Sequence, residues 1–472
     1  MNVRDKRWGW LSAGLLIIII GIVAAACGGS SSSSSSAADT AAADTAAADT
    51  AAAAGEKKIV MGFLSNCEGP FGPFWDATLA GYYTALVQFA GATPVDPADP
   101  KAGVTGAMVP GTDVAIELNT NYGCSDDKAD KALSEAKRLV EQEGVNILIG
   151  PLSGDEGIAV ANYAKTQPDV TFLNGISGAQ DTTLKVQAPN FFRFFSDGAQ
   201  WTAGLGAYAY NVLGWRNAVT IGDDYSFPYT QTAGFVSEFC SLGGKIDERI
   251  WPALGETDYS SYIAKLPDNV DGFFLDVGGT GTVQFVNQFT EVNGNASLKG
   301  KVMGGAFISN PAIIKELGAK VEGVVAGSAL PSDAMDANWT AYSDAIKAAY
   351  PEMVGNAANI FLAGYYNNAQ AAILGLQAVG GNIDDAAAFQ AALAGVEIAT
   401  GVGPVTVDAN RNAVGPNYVV EVNATGTKTL FTVEGVDQSF GGAFSGDTPN
   451  PDRDNPECVA GNPPPWAASI TK

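Results

Sequence analysis

Val145-Asn146-Ile147-Leu148-Ile149-Gly150-Pro151-Leu152-Ser153-Gly154 is a short apolar run that stops at a glycine-proline turn, and residues 156–166 behind it carry a helical pattern. A run this short, bounded by turn residues, reads as a buried strand feeding a helix. The same unit recurs upstream. A strand over 58–63 leads through Ser65-Asn66-Cys67-Glu68-Gly69-Pro70 to a helix over 74–91, and a strand over 113–119 precedes a helix over 126–143. Asp126 stands where an N-cap belongs, and Gly144 lies just past the helix end. A strand over 170–174 closes this first series.

A second series follows Phe191-Phe192-Arg193-Phe194-Phe195. It predicts helices over 200–213 and 228–242, a short one near Tyr262, and others over 282–291 and 310–317. Strands over 217–222, 245–251, 272–276, 301–304 and 321–326 alternate with them. Strands alternating with helices imply βαβ units on parallel sheets, so the chain is α/β with two doubly wound Rossmann-like lobes. After Pro331 the pattern is helical over 338–349, 360–379 and 386–394, and short strands return at 405–407, 417–422 and 429–434. The tail after Phe440 is rich in Pro, Gly and Asp and is expected to lie over the surface.

Composition narrows the function. The 472 residues carry 50 acidic and 26 basic side chains, a formal net charge of -24, and no histidine. A field of that sign disfavours phosphate contacts, so nucleic acid is not an expected partner. Without His there is no Ser-His or Cys-His nucleophilic pair and no His-ligated zinc. At the N-terminus Arg4, Lys6 and Arg7 precede an uncharged apolar run over 8–26 that ends in Ala24-Ala25-Ala26-Cys27-Gly28. A basic region, an apolar stretch and small residues before a cut mark a secretory signal over 1–26. The alternative is an uncleaved anchor, since the run approaches the roughly 20 residues that span a bilayer. Residues 27–56, with seven serines at 30–36 and repeated Asp-Thr-Ala units, have too little apolar area to form a core and read as a tether. As a flexible coil it would span about 30 Å.

The order of pieces resembles the type I periplasmic binding fold, specifically the branched-chain amino acid and amide binding family of ABC importers. The resemblance rests on Gly150-Pro151-Leu152-Ser153-Gly154, Asn174-Gly175-Ile176-Ser177-Gly178-Ala179, Phe191-Phe192-Arg193, Gly222-Asp223-Asp224-Tyr225 and Gly403-Pro404-Val405. Ala26-Cys27 likewise resembles the lipobox of bacterial lipoproteins, with Ala24 where Leu is usual, which implies lipidation of Cys27 and anchoring to the outer face of the cell membrane. The fold implies three hinge crossings, near Ser196, Ser328 and Pro404. Lobe 1 then comprises 57–195 and 328–403, lobe 2 comprises 196–327 and 404–435, and 436–472 form the tail.

In parallel sheets ligands bind beyond the carboxyl ends of strands, where helix N-termini present free N–H groups. Ser153, between two glycines, is positioned to cap a helix and to hold a ligand oxygen. The resemblance implies that Ser177, Ala179 and Gln180 meet the ligand from the next loop, and that Tyr225 and Phe227 stack on it from lobe 2. Of the first-loop aromatics, Phe74 and Trp75 are the expected contacts. Amino-acid binders of the family place an acid after the strand matched by 301–304, but this chain has Gly305-Ala306-Phe307. Asp276 is the candidate replacement. The expected ligand is an amino acid held differently, an amide, a urea-like compound or a larger apolar acid.

With Cys27 lipidated, Cys67, Cys124, Cys240 and Cys458 form an even set in an oxidising compartment. In the family fold the first two strands are neighbours, which implies Cys67 with Cys124; Cys240 with Cys458 is the expected second pair because it would fasten a Pro-rich tail with little apolar area, the alternative being free buried thiols. Asp447, Asn450, Asp452 and Asp454 lack an EF-hand glycine and glutamate, and the tail is read as solvated. No metal, cofactor or catalytic group is expected. Three functions fit: a monomeric lipid-anchored solute receptor delivering to an ABC permease, a ligand-sensing ectodomain, or an extracellular enzyme with paired carboxylates.

Overall fold

A computed structural model describes residues 57–294 and 297–472. The signal segment, the tether and Cys27 lie outside the described residues. Within them no helix is long and apolar enough to cross a membrane.

The first sheet runs Ile116–Leu118, Ile59–Asn66, Ile147–Ile149, Thr171–Leu173, Phe191–Phe192 in spatial order, all parallel. Met61 pairs with Ile147 and Ile147 with Thr171, so the apolar runs of the sequence become the centre of the sheet. Gly123–Ser125 extends the pairing along the far half of the first strand. The second sheet begins Lys245–Ile250, Asn217–Gly222, Gly272–Asp276, Val302–Gly304, Val325–Ser328, again parallel. Its far side is antiparallel: Ala413–Asn423 pairs with Val325–Ser328, with the long strand Gly426–Val436 and with Gly403–Val407. The short late strands expected from sequence are therefore one extended hairpin built onto the second sheet.

Between the sheets the chain returns to the first lobe. Helix Ile360–Ala378 lies across helix Trp75–Ala90 so closely that a Cβ at Gly81 would strike the carbonyl of Leu362, and Tyr365 Oη donates to Leu64 O at 2.7 Å. Apolar residues occupy nearly the whole circumference of the later helix, and almost all of it is buried.

Three expectations are corrected. The N-cap of the second long helix is Lys128, not Asp126, and the helix spans Ala129–Lys137 before widening over Arg138–Gln142. Asp127 has φ 71, a left-handed backbone that delays the helix and turns its carboxylate inward onto Phe71 N–H. The helix expected over 200–213 is broken into short turns at Gly204, whose φ is 93. The tail is docked rather than merely draped. Phe440, Phe444, Ala467 and Ile470 are buried, Trp466 Nε1 donates to the buried Glu238 at 2.9 Å, and Arg453 Nε donates to Asp224 at 2.7 Å.

Both cysteine pairs are bridged. Cys124 is the register partner of Ser65, which sets its Cα 5.3 Å from that of Cys67. Cys240, on helix Ser226–Ser241, meets Cys458 at a Cα separation of 5.2 Å. That bridge closes a loop of 218 residues, so the Cys240→Ser, Cys458→Ser double variant is expected to lose about 2–4 kcal/mol. Urea denaturation of both proteins measures the loss, and an unchanged midpoint would show that packing alone holds the tail.

Candidate functional site

The carboxyl ends of both sheets face one seam. Gly150, at φ 140, brings the loop after Ile147–Ile149 against the first strand, where a Cβ would collide with Leu64 O. This directs Ser153 to the N-cap of helix Gly154–Ala164. Ser153 N–H donates to Glu156 Oε2 at 3.2 Å, while Ser153 Oγ, buried, has no well-formed hydrogen bond. From the second lobe, Tyr225 and Phe227 follow strand Asn217–Gly222. A side chain at Gly178 would strike the Phe227 ring, so glycine is needed there for the lobes to meet.

These loops close on one another and leave a cavity of only about 10 Å³. Ser153 and six aromatic residues line it: Phe71, Trp201, Tyr225, Phe227, Phe307 and Phe361. Phe227 stands edge-on to Phe307 at 5.4 Å and tilts against Trp201 at 5.5 Å. Hydrogen bonds that cross the seam nearby include Ser226 N–H to Asp155 Oδ1 at 3.2 Å, Gln180 N–H to Thr230 Oγ1 at 3.3 Å, and Asn310 Nδ2 to Asn359 Oδ1 at 3.3 Å.

Of the residues anticipated from sequence, Ser153, Tyr225 and Phe227 converge on this cavity. Ser177, Ala179 and Gln180 do not line it; Gly178 between them does. The carbonyls of Ser177 and Ala179 are taken by Arg193 Nη1 and Nη2, each at 2.6 Å. Phe74 packs tilted against Phe361 at 4.2 Å and forms the wall of a separate outer groove of about 350 Å³. Trp75 packs between Phe63 and Tyr122, away from the cavity. The first-loop aromatic that lines it is Phe71. Asp276 is buried below the cavity, accepting from Thr232 Oγ1 at 3.3 Å, with its other oxygen over Gly305. Phe307 occupies the segment where the family acid was missing, which was the one signal in the sequence that this wall had turned apolar. Trp201 and Phe361 offered no such signal.

Behind the aromatic walls lies a set of buried acids. Asn66 Nδ2 donates to Asp127 Oδ1 at 2.7 Å and to Glu156 Oε1 at 3.2 Å. Across the seam Asp223 Oδ2 accepts from Gly278 N–H at 2.8 Å. Burial raises the Asp127 carboxyl to about 7 against the opposing hydrogen bond from Phe71 N–H. Burial and then the Asp127 charge raise Glu156 to about 8. Asp223 is raised well above the carboxylate range, again by burial, with Asp127 contributing.

A family model described as "Periplasmic binding protein" matches residues 18–428. A comparison with curated proteins finds no match. Among solved structures, the chain is similar to an ABC transporter substrate-binding protein from Sphaerobacter thermophilus at 20% identity and TM-score 0.68, covering 81% of this chain and 99% of the other. A solute-binding protein of an ABC transporter from R. palustris, in complex with benzoate, is similar at 21% identity and TM-score 0.69, with 81% and 98% covered. A branched-chain amino acid transporter substrate-binding protein from Streptococcus pneumoniae, in complex with isoleucine, is similar at 18% identity and TM-score 0.64, with 80% and 100% covered. The two sheets, the seam between them and the family match agree: the chain belongs to the periplasmic binding protein family and has the type I fold of ABC-transporter substrate-binding proteins.

Proposed function

We propose that the protein is the extracytoplasmic solute receptor of an ABC importer, anchored through lipid on Cys27, that closes its lobes on a small organic solute with a compact apolar or aromatic body. The family is one of solute-binding proteins rather than enzymes, and it works outside the cytoplasm. The observation that carries the solute class is the lining of the seam: six aromatic rings drawn from both lobes, with Ser153 beside them at a helix N-terminus. Rings bury large areas with few rotatable bonds, so they recognise a flat or branched apolar body at low entropic cost. Benzoate and isoleucine, the ligands named for two similar proteins, are both small solutes with such bodies. Amino acids and amides with apolar side chains fit this reading; urea, with no apolar body, does not use the walls.

Lobe 1 is proposed as 57–195 with 328–403, and lobe 2 as 196–327 with 404–435. A solute touching both lobes favours the closed form by its differential affinity, and closure reports occupancy to the permease. Titration calorimetry against apolar amino acids and aromatic acids and amines tests the reading. Ser153→Ala is expected to weaken the ligand found by about ten- to a hundred-fold, as loss of a hydrogen bond to a charged or buried group does. Unaltered affinity in that variant would remove Ser153 from the site.

A further inference from the structure

The tail leaves the second sheet at Val436 and at once meets the other lobe. Buried Gln438 donates from Nε2 to Thr183 Oγ1 at 2.7 Å and to Gln180 O at 3.2 Å, on or beside the first-lobe helix Asp181–Leu184. The same amide donates to Asp197 Oδ2 at 3.1 Å, next to the proposed crossing at Ser196. Farther along, residues 445–448 fold into a turn, with Thr448 N–H donating to Ser445 O at 3.3 Å and Ser445 N–H to Thr448 Oγ1 at 3.1 Å. The turn wraps the ammonium of Lys185, which donates to Ser445 O at 2.8 Å, to Gly446 O at 3.1 Å and to Thr448 O. An ammonium has three N–H donors, and the tail's backbone takes all of them. Leu184, just before Lys185, is buried in one apolar cluster with Phe440 and Phe444.

This same segment is fastened to the second lobe at both ends. Gln438 follows closely on Val436, the last residue of strand Gly426–Val436. At the other end Arg453 makes a two-pronged pair with Asp224, Trp251 Nε1 donates to Arg453 O at 3.2 Å, and Cys458 is bonded to Cys240. The lead from Thr448 to Arg453 contains Pro449 and Pro451 and reaches at most about 18 Å when fully extended. Both leads are short, so a first lobe that swings away has to pull free of the tail. The two places it holds adjoin the cleft: helix Asp181–Leu184 follows the loop of Gly178, Asp224 precedes Tyr225, and Gly178 and Tyr225 both line the cavity.

We propose that residues 438–448 are a latch between the lobes, a piece of chain anchored on the second lobe that grips Thr183, Leu184 and Lys185 of the first and sets how often the empty cleft opens. This rests on the reading of two lobes that close on a solute, and adds the contact that opposes their opening. The latch touches no cavity wall and does not meet the solute. It stabilises the closed form through contacts made there and lost when the lobes part, so weakening it raises the open fraction while the cleft keeps its lining.

Hydrogen exchange of the intact protein, with no solute added and read by mass spectrometry, tests this. Ser226 N–H donates across the seam to Asp155 Oδ1, so its exchange reports opening; Leu148 and Val219, inside the two sheets, report unfolding. Lys185→Met and Gln438→Met remove the gripping donors from the two sides with little change of volume, and neither residue is bonded to Ser226. Each is expected to speed exchange at Ser226 by about ten-fold or more and to leave Leu148 and Val219 unchanged. Acceleration at Ser226 alone in either variant supports the latch. Unchanged exchange at Ser226 in both would overturn it and leave the receptor reading standing. Equal acceleration at Ser226, Leu148 and Val219 would overturn it too, because the tail would then hold the whole fold rather than the seam. Ser226 exchanging as slowly as Leu148 and Val219 in all three proteins would show that the seam opens only by unfolding, and lobe closure and latch would fall together.

Discussion

Arg193→Met is expected to lower the unfolding free energy by about 3–5 kcal/mol and to abolish tight solute binding. Arg193 is fully buried where the chain leaves the first sheet, and its guanidinium donates to the carbonyls of Ser177 and Ala179 at 2.6 Å each. Those carbonyls belong to the loop that presents Gly178 to the cavity. Methionine fills the volume but offers no donor, so both carbonyls lose their charged partner and keep only neutral ones, Asn174 Nδ2 on Ser177 O and Thr182 Oγ1 on Ala179 O. The charge is lost too. Burial lowers the guanidinium to about 10, with Asp197 the strongest opposing influence, so it is ionised at neutral pH and compensates that fully buried acid. Removing one member of a buried charge set leaves the other unpaired, which is the expensive case. Arg193→Lys is expected to recover little, because an ammonium lacks the planar fork that spans two carbonyls. Urea denaturation gives the stability and calorimetry the binding; a loss below about 1 kcal/mol would show that the loop is held by other contacts.

Stability is expected to fall between pH 5 and pH 8. Burial raises Asp127 to about 7 and Glu156 to about 8, and Asp223 and Asp276 well above the usual range. Glu238, buried beside the tail, is raised to about 8 by the same cause, against hydrogen bonds from Trp466, Gly204 and Gly206. In the unfolded chain these groups titrate near 4. Between about 4 and 8 the folded form therefore holds more protons than the unfolded form, and stability declines as pH rises. Each such group contributes up to about 1.4 kcal/mol per pH unit within its window. For Asp127 and Glu156 the decline is complete above their folded values, near 7 and 8. Acids lowered by their partners, such as Glu143, Asp224 and Asp452, act in the opposite direction and lose their contribution below about 4. Urea midpoints at pH 5, 6.5 and 8 check the trend. A flat or rising series would mean that the seam opens to water and that these carboxylates ionise normally.

The strand and helix order was legible from residue 58 onward, because each βα unit is local: a short apolar run, a turn with glycine or proline, and an amphipathic or apolar helix. Ser153 could be placed at a cleft loop for the same reason, since a helix N-cap after a parallel strand is determined within about ten residues of chain. Backbone detail was less legible. The φ of 71 at Asp127 goes with a carboxylate that accepts from Phe71 N–H and Asn66 Nδ2, groups some sixty residues away in sequence, and without that contact Asp126 would be the natural cap.

What tertiary structure alone decided is which side chains share the cavity. Phe71, Phe74 and Trp75 are nearly adjacent in sequence, yet one lines the cavity, one an outer groove, and one packs against Phe63 and Tyr122. Asp276 ends its strand as expected but is covered from the cleft, while Asp127 and Asp223, almost a hundred residues apart, are brought to one seam. Hydrophobic periodicity is a property of single elements and is written in the local sequence. The facing of one lobe against another depends on hinge geometry and on glycines such as Gly178 and Gly278, whose missing side chains acquire meaning only when the opposite wall is present.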